Sequence, residues 1–406
     1  MIAFDEKQLE KELVEIYKDI HRHPEPGYKE NRTSGLVAEY LEGLGLEVRK
    51  NVALTGVIGT LDSGRPGKTI MIRADMDCLP IEEATSLDYK SENRGYMHAC
   101  GHDAHVAMLL GAAKILSEHK EQFTGKIKFL FQPAEEGTDP SMEETVRKSG
   151  YEGVGGAGYM IQEGALDDVS ACLIIHVNPS IPTGCIEIPI KNACASSDYF
   201  KITVTGHGGH GAFPYLAIDP VPVACQLVNA IHLLPAREVK AQETCVISIG
   251  TLETPNSVWN AVANEVILTG GFRTFNEEVR DTLRARIMQL VEDTAKAGRC
   301  TARVDNLKGY GPCVNSERIS SIVYRGCVEL LGAEHAILKD APDMASEDGG
   351  AYLAKVPGAF MRLGVGVPDK KCFLHNPSFE MNLNALIIGT KVHINNAIVL
   401  LRELNK

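Results

Sequence analysis

Four stretches of the chain combine residue types and spacings that could do chemistry. The first reads His98-Ala-Cys-Gly-His-Asp-Ala-His105. Cys100 and His102 stand two apart, with a glycine between them that permits a tight turn, and a thiolate and an imidazole that close suit a transition metal. The second, Phe131-Gln-Pro-Ala-Glu-Glu-Gly137, places adjacent glutamates behind a proline. Two neighbouring carboxylates can divide labour, one ligating a metal while the other moves protons. The third is His176, closing the run Ala171-Cys-Leu-Ile-Ile-His-Val177, and the fourth is His375 in Phe373-Leu-His-Asn-Pro-Ser-Phe379. Each has a plainer reading on its own: a polar helix cap, a solvated acidic turn, a satisfied core histidine. Their coincidence in one part of the fold is what favours a metal site.

That coincidence depends on the elements that carry them. Residues 5–20 place Leu9, Leu13, Ile16 and Ile20 at helical spacing among charges. Short apolar runs rich in β-branched residues predict strands over 52–61, 69–74, 126–132 and 171–177, and Asp103 is placed to cap a helix over 105–118. Strands alternating with helices predict an α/β layered domain. The four stretches lie at or just after predicted strands, where open α/β sheets hold their ligands. Residues 187–310 follow another order: strand 198–205, helix 220–233, strands 243–251 and 265–273, helix 276–297, strand 301–309. This βαββαβ order is that of a ferredoxin-like module. The α/β pattern then resumes with helices 317–331, 346–354 and 384–403 and a strand at 359–363. The reading is a catalytic α/β domain, residues 1–186 and 311–406, interrupted by an inserted module at 187–310.

Composition narrows the function classes. The chain has 406 residues, 44% hydrophobic and 23% charged, enough to bury a sizeable core. A net charge of −12 speaks against nucleic acid or an anionic membrane as partner, since both attract basic patches. No secretory h-region follows Met1, and no stretch is expected to reach the ~20 apolar residues that span a bilayer. The eleven cysteines include Cys172, Cys225 and Cys245 within apolar runs, the behaviour of reduced core residues, so a cytoplasmic location is expected.

With these motifs in view, the sequence resembles the amidohydrolase branch of the two-metal aminoacylase and carboxypeptidase superfamily. That branch includes hippurate hydrolases, indoleacetyl-amino-acid hydrolases, N-acetyl-diaminopimelate deacetylases and p-aminobenzoyl-glutamate hydrolases. Besides the stretches above, the resemblance rests on His21-Arg-His-Pro-Glu25, Arg73-Ala-Asp-Met-Asp-Cys-Leu-Pro80, Gly206-His-Gly-Gly-His-Gly-Ala212, Arg273-Thr-Phe275 and Ser346-Glu-Asp348. It implies a two-metal aminopeptidase-like catalytic domain with an inserted ferredoxin-like module acting as lid and dimerisation domain.

The resemblance also implies roles. Cys100 bridges two divalent metal ions, and His102, Glu136, His176 and His375 complete the ligand set. Glu135 is the general acid/base, and Asp77 stands behind a ligating histidine. His210 reaches the partner subunit's site in a dimer or higher homo-oligomer, and Arg273 and Asn260 hold the substrate carboxylate. Zinc suits a bridging thiolate, while relatives also work with manganese, cobalt or nickel. The charges agree: two divalent ions against one thiolate and one carboxylate leave an electropositive site, which lowers the pKa of water toward ~7. The implied reaction splits an N-acyl amino acid into a carboxylic acid and an amino acid. A dipeptidase or short-peptide carboxypeptidase on the same core is the alternative. A non-catalytic binding paralogue would be expected to lose Glu135 or a ligand, and all are present. Two departures from the pattern stand out: Asn260-Ala-Val-Ala-Asn264 replaces a common Asn-Val-Ile-Pro, and residues 138–154 form an insertion after the glutamates.

Overall fold

The β-branched runs of the sequence become the middle of an eight-stranded sheet. The structure, a computed structural model, describes residues 2–255 and 257–406. The chain divides into one unit of Met1–Ala193, Cys313–Pro342 and Asp348–Lys406 and a second of Cys194–Pro312 and Asp343–Glu347.

In chain order the first unit begins with α1 (Glu6–Arg22), α2 (Asn31–Gly43), β1 (Glu47–Val52), β2 (Gly56–Asp62), β3 (Thr69–Asp75), α3 (His102–Glu118) and β4 (Lys126–Gln132). It continues through α4 (Glu143–Lys148), α5 (Gly156–Gln162), β5 (Val169–Pro182), β6 (Ile186–Pro189) and β7 (Asn192–Cys194). The second unit holds β8 (Ser197–Thr205), β9 (Gly209–His210), α6 (Pro220–Arg237), β10 (Cys245–Glu253), β11 (Ala261–Val262), β12 (Glu265–Thr274), α7 (Glu277–Ala297) and β13 (Thr301–Tyr310). Then come β14 (Cys313–Val314), α8 (Glu317–Leu331), β15 (Ala336–Lys339), α9 (Gly350–Leu353), β16 (Gly358–Gly366) and α10 (Asn384–Leu404).

The large sheet runs β1-β2-β4-β3-β5-β16-β6-β15. Its centre is parallel, β4 with β3, β3 with β5 and β5 with β16, and α3 is the crossover between β3 and β4. Both faces of such strands are covered, so β3 is buried along its whole length. Helix α3 is buried almost all round, as its nearly continuous apolar sequence requires, and it packs against α1 and α10. The α/β expectation therefore holds. The second unit keeps the βαββαβ order, with an antiparallel sheet β10-β12-β8-β13 over a core that includes Phe200, Ile202, Leu227, Ile231, Leu283 and Ile287. In it, buried Asp198 accepts Arg280 Nε at 2.6 Å and Arg284 Nη2 at 2.5 Å.

Several expectations need correction. The run 52–61 does not form one strand: Asn51, Ala53 and Leu54 take positive φ (57°, 51° and 75°) and turn β1 antiparallel onto β2. Helix α3 is capped by Gly101 rather than Asp103. Gly101 has φ 83°, and a Cβ there would lie 2.4 Å from Val177 Cγ2, so the turn needs glycine. The helix expected over 346–354 shrinks to α9. Its first part is held out of a helix at Asp348, whose N–H donates to Glu135 Oε1 at 3.4 Å and whose carboxylate accepts Arg73, Gln132 and the Ala157 N–H. Helix α10 does reach membrane-spanning length and apolarity, yet much of it is buried in the core, with His393 and Asn396 among its buried residues. Cys172 is buried as expected, whereas Cys225 is exposed on α6 and Cys245 is half-buried.

One buried network ties the strand ends together. Arg73, 1% exposed, donates through Nη1 to Asp75 Oδ2 (2.6 Å), through Nη2 to Asp348 Oδ1 (2.9 Å) and through Nε to Gln132 Oε1 (2.9 Å). Gln132 Nε2 in turn donates to both oxygens of Asp348, at 2.8 and 2.9 Å. Asp75 and Gln132 are register partners at the carboxyl ends of β3 and β4, so this network fixes the edge from which the candidate site grows.

Candidate metal centre

The carboxyl ends of the parallel strands bring Cys100, His102, Glu135, Glu136, His176 and His375 together, all within the first unit. Cys100 Sγ lies 3.4 Å from His176 Nε2 and 3.3 Å from His375 Nε2. His375 Nε2 lies 2.9 Å from Glu136 Oε1, and His102 Nε2 lies 3.8 Å from Glu135 Oε2. The donor atoms fall into overlapping triads: Cys100 with His102 and His176, Cys100 with Glu136 and His375, and His102 with both glutamates. Cys100, His102 and Glu136 each belong to two of these triads, so the three share one cluster.

The histidines are oriented as ligands are. His102 Nδ1 faces Asp77, 2.9 Å from its carbonyl and 3.2 Å from Oδ1, so that nitrogen carries the proton. Its Nε2 is buried and has no hydrogen-bond partner among the described residues. His176 Nδ1 donates to the Val177 carbonyl at 2.7 Å, which turns its Nε2 lone pair toward the thiol. A fixed proton on one nitrogen and a bare lone pair on the other is the arrangement of a metal-ligating imidazole. The donor set of thiol, imidazole and carboxylate therefore fits divalent transition metals.

The surroundings hold this geometry. Asp77 Oδ2 accepts the Glu136 N–H at 2.9 Å, so one carboxylate orients both His102 and Glu136. His105 Nε2 accepts the Val177 N–H at 2.9 Å, and its Nδ1 donates to Asp75 Oδ1 at 2.5 Å, which anchors β5 beside His176. His375 sits at φ 57°, held by its N–H to the Ala99 carbonyl at 2.8 Å. Arg73, Asp75, His105, Gln132 and Asp348 were visible in the motifs without a role. The clue was their charge and polarity inside runs that must be buried, with Arg73 and Asp75 on one face of a strand.

His210, Asn260 and Arg273 belong to the second unit. His210 is exposed on the β9–β11 ribbon, and its Nδ1 accepts the Ala212 N–H at 3.0 Å, so the neutral ring carries its proton on Nε2. Exposed Asn260 contributes its carbonyl to Gly211 N–H at 2.8 Å, while Asn264 Oδ1 accepts the Gly208 N–H at 2.9 Å. Arg273 uses Nη1 on the Met344 carbonyl at 2.9 Å.

Fold and cluster together define a class, a metallopeptidase-like hydrolase with an α/β catalytic unit. The chain belongs to peptidase family M20/M25/M40, which matches residues 71–397. It is similar to thermostable carboxypeptidase 1 of Saccharolobus solfataricus, 35% identical and covering 96% of this chain and 95% of that protein. It is also similar to N-acetyl-L-cysteine deacetylase of Bacillus subtilis, 34% identical over 93% of this chain and 86% of that one. Among solved structures it is similar to the Bacillus subtilis YXEP protein, described as a dinuclear metal binding peptidase from the M20 family. The TM-score is 0.81 at 26% identity, over 98% of this chain and 99% of that one.

Without metal, the cluster holds protons. Burial, with Glu136 and Glu135 beside it, pushes the Cys100 thiol well above its ordinary range. Burial opposes a charge on His102, but Asp75 and Asp77 outweigh it and raise the imidazole to about 10. A divalent ion ligated by both must displace both protons. Loading should therefore weaken as pH falls and release about two protons per site at neutral pH. Calorimetric titration of metal-free protein with zinc, in buffers of different ionisation enthalpy, checks the number.

Proposed function

We propose that this protein is a metal-dependent amidohydrolase that cleaves N-acyl amino acids to a carboxylic acid and a free amino acid. The observation that carries this reading is the convergence of Cys100, His102, Glu136, His176 and His375 on one cluster, with Glu135 at its edge. In this reading those residues would hold two divalent ions, zinc or manganese by the chemistry of the donors, with cobalt or nickel as substitutes. When bound, the ions supply Lewis acidity, polarising the scissile carbonyl and making water a stronger acid. The identity with N-acetyl-L-cysteine deacetylase supports an N-acyl substrate, and that with thermostable carboxypeptidase 1 supports a short-peptide alternative. Free thiols at Cys78, Cys100, Cys327 and Cys372 support a cytoplasmic setting.

The chain's own residues then divide the reaction. Glu135 takes the proton of the attacking water and returns it to the leaving nitrogen. One of its oxygens accepts the Asp348 N–H at 3.4 Å, leaving the other directed toward His102. His210 offers an Nε2–H donor to the developing oxyanion, the tautomer that the Ala212 N–H selects. Arg273 recognises the substrate carboxylate with the part of its guanidinium fork that the Met344 carbonyl does not occupy, and Asn260 assists.

The neighbouring glutamates should separate on substitution. Glu136→Ala should lose metal. Glu135→Gln should keep both ions and the fold while kcat falls by about 10²–10⁴-fold. Metal analysis beside steady-state kinetics tests this, and near-normal kcat in metal-loaded Glu135→Gln would refute the assignment.

A panel of acetyl- and benzoyl-amino acids, their amides and unblocked dipeptides separates the two substrate readings. On the same panel Arg273→Ala should lower kcat/KM for free acids by roughly 30-fold or more, the loss of a charge-assisted contact worth about 2–5 kcal/mol. It should affect the amides far less. Equal losses on both would remove Arg273 from carboxylate recognition.

His210 is proposed to serve the active site of a second copy in a dimer or larger homo-oligomer. Mixing inactive His210→Ala with inactive Glu135→Gln should then restore part of the activity, because one site of each mixed dimer carries neither defect. Proven mixed dimers without recovery would assign His210 to its own subunit or to no site.

A further inference from the structure

Ala134, immediately before the glutamate pair, is held at φ 52°, a left-handed conformation that a residue with a Cβ adopts only at a cost. Two hydrogen bonds keep it there. Its N–H donates to Glu30 Oε1 at 2.9 Å, and its carbonyl accepts the Gly156 N–H at 2.9 Å. Glu30 is fully buried at the start of α2, and its second oxygen accepts the Thr55 hydroxyl at 2.5 Å. Both oxygens are therefore engaged, and the side chain is fixed at its far end. The segment that carries Glu30 also closes on the turn from below: a Cβ on Gly27 would lie 2.0 Å from the Gly137 carbonyl oxygen.

The turn around Glu135 is thus gripped by a buried carboxylate on each side. Glu30 holds Ala134, and Asp77 holds Glu136. The two differ in what else they touch. Asp77 also contacts His102, so its removal disturbs the metal cluster directly. The hydrogen bonds of Glu30 reach Thr55 and the backbone at Ala134 and Ser34, and none of these is a proposed ligand.

We infer that Glu30 is a positioning residue for the hydrolytic reaction, which aims the Glu135 carboxylate by clamping Ala134 in its left-handed conformation. This rests on the reading of Glu135 as general acid/base. A glycine at 134 would take the same conformation without help, because it lacks a Cβ. That gives the inference a test that simple loss of stability cannot imitate.

The experiment compares kcat, KM and metal content on an N-acyl amino acid for wild type, Glu30→Gln, Glu30→Ala, Ala134→Gly and the double variant Glu30→Ala/Ala134→Gly, with Glu135→Gln as reference. Amide exchange over 134–137 is read on the metal-free proteins. Gln at position 30 offers a carbonyl to the Ala134 N–H and an amide N–H to Thr55, so Glu30→Gln should keep most of kcat and the slow exchange. Glu30→Ala should exchange faster and lose about 10–100-fold in kcat, the scale of a misplaced catalytic group, with KM within about twofold and both ions bound. The double variant should recover most of that loss. Should Glu30→Ala not fold, Glu30→Asp, one methylene too short for the Ala134 N–H, replaces it in the same cycle. Wild-type kcat in the shortened variant, or a loss that Ala134→Gly does not repair, overturns the clamp. Unimpaired Glu135→Gln instead overturns the acid/base reading, and this inference with it.

Discussion

A guanidinium buried at 1% exposure is the constraint on which the catalytic unit depends. Burying a charge without partners is prohibitive, so wherever Arg73 goes, carboxylates and amide oxygens must go with it. It sits on β3, and its partners come from β3, from the end of β4 and from the segment at 348. Removing one partner of such a set costs about 3–5 kcal/mol, a large part of the roughly 5–15 kcal/mol that keeps a domain folded. Strand ends that elsewhere fray are here joined by directional bonds. This is the edge on which Glu135 and Glu136 are mounted, since Gln132, one of the partners, ends the strand that precedes them.

The same anchor reaches the histidines. Asp75 gives one oxygen to Arg73 and the other to His105, and His105 spends its second nitrogen on the Val177 N–H. A proton order follows along this line. His105 must hold its proton on Nδ1, and Val177 is left with a carbonyl that takes the proton of His176 Nδ1. The lone pair of His176 is thereby aimed at Cys100. An error in any one bond would leave a buried polar group unsatisfied, at about 1–3 kcal/mol. Geometry at the cluster is thus enforced by accounting for buried donors and acceptors several residues away.

How much of this was legible in the sequence follows from what local pattern can carry. The strand over Lys126–Gln132 was readable because its apolar run and the following proline and glutamates mark both its ends. The βαββαβ order of the second unit was readable because each element is long and periodic. The turn at 51–54 was not, because Ala53 and Leu54 hold positive φ against their own preference and only tertiary context places them there. The helix expected over 346–354 shortened for a related reason: the Asp348 N–H and carboxylate are taken by Glu135, Arg73, Gln132 and Ala157, far away in the chain. At the candidate site, the ligand types stood out by spacing. Glu30 and His105 did not, because each accepts one bond from a backbone N–H far away in the chain, at Ala134 and at Val177, which leaves no spacing to detect.

Two residues with strained backbone lie at the same place. Ala134 and His375, at φ 52° and 57°, adjoin the cluster or belong to it, although a non-glycine residue in this region costs of order 1–3 kcal/mol. Strain of that size persists only where the surroundings over-determine the conformation, and here they do, with buried bonds at Glu30, Gly156 and Ala99. Its consequence concerns catalysis more than stability. A relaxed loop would carry Glu135 and His375 through many orientations and lose entropy each time the site assembled around a substrate. A loop already held in a costly conformation has made that loss during folding. The side chains of Glu135, Cys100 and the histidines are then held in fixed positions, and the rigid sheet edge beneath them absorbs the cost.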